Sequence, residues 1–116
     1  MATLTEQHDR YGVALGHDLD ELVRQLSDMP DVQKVVLFGS YAAGRCDLLT
    51  DLDLLVVAQS PLDFVSRNIE FARRLRAEVA LDLLVYTPQE IERMRNRPFL
   101  RHALKTGKVL YERKSA

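Results

Sequence analysis

Between Val35 and Val57 the chain reads VVLFGSYAAGRCDLLTDLDLLVV. Two apolar runs, Val32 to Phe38 and Asp51 to Ala58, have the Val/Leu-rich character of buried strands. Gly39-Ser40 closes the first run, and Asp51 and Asp53 open the second. A pair of like charges at the mouth of an apolar strand needs a physical reason. Side chains alternate along a strand, so Asp51 and Asp53 share one face, roughly 6–7 Å apart at the backbone, while Leu52 and Leu54 take the other. Two anions at that spacing on a half-buried surface repel, and a divalent cation removes the conflict. Hard carboxylate oxygens suit Mg2+ or Mn2+, which complete their shells with waters and phosphates.

Downstream, VALDLLVY (Val79 to Tyr86) reads as a third strand in which Asp82 is the only charge. A lone buried carboxylate is unfavourable unless it is paired or binds metal. If this strand lies beside the second, Asp82 joins Asp51 and Asp53 on one face. Three carboxylates on neighbouring strands can hold two cations, the geometry of in-line phosphoryl or nucleotidyl transfer. Gly39 would let backbone approach a ligand closely. If Ser40 opens a helical turn, its N–H groups and hydroxyl form a phosphate cradle opposite the carboxylates.

The remaining elements follow from period and caps. Residues 4–29 read as an amphipathic helix with one stripe of Leu4, Tyr11, Leu15, Leu19, Leu22, Leu26 and Met29, opened by Thr3 and Glu6 at capping-box spacing. Tyr41 to Gly44 forms a helical turn and Cys46 to Thr50 a loop. Ser60-Pro61 predicts a helix start, with Leu62, Val65, Ile69, Ala72, Leu75 and Val79 at helical spacing behind it. Thr87-Pro88-Gln89-Glu90 is a second capping box. A further helix runs from Pro98 to Gly107, and Lys108 to Glu112 forms an edge strand. The order predicts an α+β domain over residues 1–116: a small mixed sheet with helices packed on one face, the second and third strands parallel across a helical crossover.

Composition sets the frame. The 116 residues are 47% apolar and 28% charged, enough for one core. No run approaches the ~20 apolar residues of a membrane span, and no secretory leader is visible. Cys46 is the single cysteine, which fits a cytoplasmic protein. The net charge of −1 hides a division: residues 1–90 carry fifteen acidic and eight basic side chains, residues 91–116 two and eight. The basic tail either meets an anion (a nucleotide, an RNA or an acidic partner) or is a solvated helix face. His8, His17 and His102 share no metal spacing, and Arg97 and His102 form an R-x4-H string outside any helical bundle.

Gly39-Ser40, then Asp51-Leu52-Asp53, then Asp82 in an apolar strand together resemble the signature of the DNA polymerase beta-type nucleotidyltransferase superfamily. The short chain is similar to its minimal members, the MNT or MntA proteins encoded beside a HEPN-domain protein. The resemblance implies a polymerase beta palm-like fold in which Asp51 and Asp53 bind two Mg2+ ions and Asp82 completes the site and helps activate the acceptor hydroxyl. Gly39 and Ser40 would hold the triphosphate of ATP. Many minimal members carry an arginine where Ala43 stands; here Arg45 follows Gly44 instead and is the candidate phosphate contact.

The implied reaction moves AMP from ATP to a hydroxyl, a tyrosine of a HEPN RNase toxin, making this chain the antitoxin in a hetero-oligomer without direct nucleic-acid or membrane contact. The basic tail or the apolar stripe of the first helix would dock the partner. Two other readings stand beside it: a binding module that neutralises its partner by contact, and a free-standing transferase acting on a small molecule or RNA end.

Overall fold

The computed structural model describes residues 3–114. The run between Pro30 and Gly39 forms β1 (Val32–Phe38), which pairs antiparallel with β2 (Leu52–Ala58), placing Phe38 opposite Asp53. Between them Gly39–Ala42 makes the one-turn helix α2. From β2 the chain crosses through α3 (Phe64–Arg74) to β3 (Leu81–Tyr86), which lies parallel to β2 with Asp53 opposite Asp82. Finally β4 (Lys108–Glu112) pairs antiparallel with the other side of β1, giving the order β3-β2-β1-β4. The sheet is mixed, its parallel pair is the one the crossover predicts, and β4 is an edge. No helix among the described residues is long and apolar enough to cross a membrane.

The expectation of helices on one face is corrected. Leu52, Leu54, Val56, Val35 and Leu37 pack against Leu15, Leu22 and Leu26 of α1 (Leu4–Ser27). On the opposite face Val36, Leu55, Val57 and Tyr86 pack against α4 (Pro88–Met94) through Ile91 and Met94, and against α5 (Pro98–Thr106) through Leu100 and Ala103. Val35 to Leu37 of β1 and Leu54 to Val57 of β2 are continuously apolar because both faces are covered there, while Gln33, Lys34 and Asp53 lie toward the strand ends. From Tyr11 to Met29 the stripe of α1 likewise packs into this protein's own core, Leu15, Leu22 and Leu26 being inaccessible to solvent, while Leu4 at its start is exposed. It is therefore not a free docking face for a partner.

Helix α3 also departs from expectation. Its N-cap is Asp63, whose carboxylate accepts from the Ser66 N–H at 2.8 Å, while Ser60 accepts only from Leu62 N–H in the turn before it. Leu62, Val65 and Ile69 face solvent, and Arg67 and Phe71 face inward. The cause is the edge of β3, whose unpaired backbone groups need partners. The Asn68 carboxamide accepts from Val85 N–H (2.8 Å) and donates to Val85 O (3.3 Å). Arg67 donates to the same carbonyl at 2.8 Å and pairs with Glu90 of α4 at 2.6 Å. Glu90 also completes the Thr87 capping box, so one carboxylate joins α3, α4 and the end of β3.

Asp18 sits buried within the apolar stripe of α1. Its Oδ2 accepts from the N–H groups of Glu78 and Val79 at 2.6 and 2.8 Å, tying the approach to β3 to the first helix. Asp18→Ala strands two backbone donors. We expect it to cost about 2 kcal/mol in urea unfolding, and a loss below about 0.5 kcal/mol would show that water satisfies them.

Candidate active site

The three carboxylates converge. Asp51 precedes β2, Asp53 is its second residue, and Asp82 lies across the parallel register from Asp53. Alternation sends all three toward the α4/α5 face, at the end of the sheet where β1 stops. One carboxylate oxygen from each lies within 4.8 Å of the others. Asp51 and Asp53 are half-buried and Asp82 is exposed. None of the ion pairs among the described residues involves any of the three. Burial, then the charge of Asp51, then Asp82 push the Asp53 carboxyl up to about 6. Three acceptor-only oxygens with no cationic side chain among them form a donor set that fits a hard divalent cation.

Gly39 adjoins this cluster. It adopts φ +78°, and a Cβ placed there would lie 2.1 Å from Asp53 Oδ2 and 2.8 Å from its Cγ. The turn out of β1 thus brings bare backbone against the carboxylate, which requires glycine. Ser40, half-buried, follows in the first turn of α2 and accepts at its carbonyl from Arg45 N–H (2.9 Å).

The loop before β2 is held by residues whose part was not visible in the sequence. Tyr11 of α1 donates its hydroxyl to Thr50 O at 2.7 Å, one residue before Asp51. Asp47 accepts from Leu49 N–H (2.8 Å), and its own N–H donates to Thr50 Oγ1 (2.9 Å). The Arg45 guanidinium forks onto Asp47 at 2.8 and 3.2 Å and, with Leu49 N–H, holds that carboxyl at about 2. Arg45 is thereby engaged within the loop.

A cleft of about 540 Å³ opens beside Gly39 and Ser40, walled by Phe38 of β1 and by Phe99, His102 and Thr106 of α5. Phe99 meets Phe38 edge to face, with ring centroids 5.6 Å apart. The sequence did hold a signal for this wall, since residues three and seven apart share a helix face, but not for what that face would meet.

Residues 20–116 match the family model described as polymerase beta, nucleotidyltransferase. The chain belongs to this family. This nucleotidyltransferase is 32% identical over 82 residues, 69% of its length and 79% of the relative's, to a Methanocaldococcus jannaschii protein that carries protein adenylyltransferase in its name. A solved structure described as a toxin-antitoxin with AMP-PNP is 27% identical, with a TM-score of 0.58 over 82% of this chain and 73% of that one. The same fold, at 23% identity and a TM-score of 0.50, is found in a Shewanella oneidensis complex described as tri-AMPylated HEPN toxin with MNT antitoxin; 85% of this nucleotidyltransferase and 73% of that chain align.

Proposed function

We propose that this nucleotidyltransferase moves AMP from ATP onto a hydroxyl, a tyrosine of a HEPN-domain RNase toxin, and acts as that toxin's antitoxin. The observation that carries the chemistry is the convergence of Asp51, Asp53 and Asp82 across adjacent strands with Gly39 pressed against Asp53. The choice of AMP and of the partner is supported by the adenylyltransferase relative and the MNT–HEPN complex.

In this reading Gly39 and Ser40 hold the triphosphate, and Asp51 and Asp53 would hold the divalent cations that let the α-phosphate sit beside them. Asp82, on the exposed edge strand, faces the incoming hydroxyl and takes its proton. The acceptor oxygen attacks the α-phosphorus, the bond to the β-phosphate oxygen breaks, and pyrophosphate leaves with the electron pair. Mg2+ ions held by the three carboxylates would neutralise the phosphates and lower the pKa of the acceptor hydroxyl. Arg45 reaches a phosphate only by exchanging Asp47 for it. Positioning and electrostatics supply the rate enhancement.

The test is incubation with ATP, Mg2+ and the product of the gene adjacent to this one, proposed to be a HEPN-domain toxin, read by intact-protein mass. A mass gain on the toxin in multiples of one AMP, lost when its acceptor tyrosine is changed, is the expected result. An unmodified toxin that is nevertheless neutralised would favour contact alone. Label transferred only to RNA or a small molecule would favour the free-standing transferase.

A further inference from the structure

We propose that α5 supplies the wall that receives the nucleoside of the triphosphate, with the Phe99 ring as its stacking platform and His102 as its polar contact. This rests on the reading above that Gly39 and Ser40 hold phosphate. Four observations carry it.

First, the cleft is continuous with the candidate site: its near wall is Gly39 and Ser40, and Gly39 touches the space of Asp53. Whatever anion lies on that backbone has the rest of its molecule beside this opening. Second, its volume of about 540 Å³ lies within the range of roughly 300–1,000 Å³ that small-molecule sites occupy. Third, the lining suits a nucleoside better than further phosphate. Phe38, Phe99 and Ala103 are apolar, and the polar groups are few. Phe99 remains 47% exposed, and its edge-to-face contact with Phe38 fixes the ring in place. A fixed, half-exposed aromatic ring is a stacking surface, since every base presents a π-face. His102, one turn on and exposed, offers a donor and an acceptor to ribose hydroxyls or a base edge. Fourth, charge agrees. Helix α5 carries Arg101 and Lys105 and no acidic residue, so it balances a polyanion drawn toward three aspartates.

The experiment compares two probes, Mg·AMP-PNP and Mg·tripolyphosphate, by titration calorimetry on the full chain. The wild type should bind the nucleotide at least about tenfold more tightly than the bare polyphosphate. Phe99→Ala should remove about tenfold of nucleotide affinity and leave tripolyphosphate unchanged, and Phe99→Trp should restore it. Because Phe99 also packs on Phe38, His102→Ala at its exposed position provides a second variant, expected to show the same selective loss with an unaltered melting temperature. Unchanged nucleotide affinity in both alanine variants overturns the proposal. So does an equal loss for both probes, which would give the cleft to phosphate. A wild type that binds both probes equally overturns the wall and spares the phosphate reading; one that binds neither overturns both.

Discussion

Asp53→Asn is expected to lower nucleotidyl transfer by at least about 100-fold while raising the melting temperature of the metal-free protein. The two effects have one cause. Asp53 stands half-buried between Asp51 and Asp82, with no cationic partner among the described residues. Its ionised form is unfavourable in the fold unless a cation arrives, which is what suits it to hold one. Burial first, then Asp51 and Asp82, push its carboxyl up to about 6, above the value of about 4 it has in an unfolded chain. Below about pH 4 both states hold the proton and the site costs nothing. As the pH rises from about 4 to about 6 the unfolded chain gives up that proton before the folded one does, so stability falls; above about 6 the full penalty remains. Asparagine keeps the shape and removes this descent. The measurement is a pair of melting curves across that range in chelator, taking the difference between variant and wild type so that other carboxylates cancel. Added Mg2+ should then raise the melting temperature of the wild type and not of the variant. A variant that melts below the wild type at neutral pH in chelator, or that still transfers, would remove Asp53 from the role assigned to it.

Much of this architecture was legible because it is written locally. Val32–Phe38 lies between a helix-ending Pro30 and a turn-making Gly39, and the strand fills that interval. The helical stretch between the second and third strands called for parallel pairing, and that pairing set Asp82 against Asp53. Thr87 and Glu90 satisfy each other within four residues, so their capping box survives any tertiary context. What was not legible depends on partners distant in sequence. Periodicity located a helix near Leu62, Val65 and Ile69 but could not say which side would be buried. That was decided by Asn68 and Arg67 meeting the open backbone of Val85. Asp18 falls in phase with leucines, and only the N–H groups of Glu78 and Val79, some sixty positions on, explain a carboxylate there. Phe99 and His102 are ordinary helix residues until α5 is set beside α2. The candidate site divides in the same way: its acidic members and its glycine belong to short motifs, whereas the loop ties from Tyr11 and Asp47 and the α5 wall exist only in three dimensions.

Gly39→Ala should be the most damaging single methyl that can be added to this chain near its carboxylates. Two costs combine. The residue holds φ +78°, a left-handed conformation that costs an L side chain about 1–2 kcal/mol. The new Cβ would also stand 2.1 Å from Asp53 Oδ2 and 2.8 Å from Cγ, so either the carboxylate or the junction of β1 and α2 must move. Overpacking of this kind adds about 1–3 kcal/mol. We expect a total near 3 kcal/mol in chemical denaturation, and a loss of transfer of at least about 100-fold, because the displaced groups are a proposed metal ligand and the proposed phosphate cradle. Gly44 is the internal control. It has φ +99°, yet a Cβ there meets nothing within 4 Å, so Gly44→Ala carries the backbone cost alone, about 1 kcal/mol, and leaves transfer within a few-fold of wild type. The collision can be isolated by repeating Gly39→Ala in an Asp53→Ala background. There Oδ2 and Cγ are gone and the nearest remaining atom, Asp53 Cβ, is 3.2 Å away. The stability cost should fall toward that of the Gly44 variant, a coupling of about 1–2 kcal/mol. If the two substitutions instead add independently, Gly39 and Asp53 do not touch in solution, and the close approach of backbone to carboxylate that defines this site is absent.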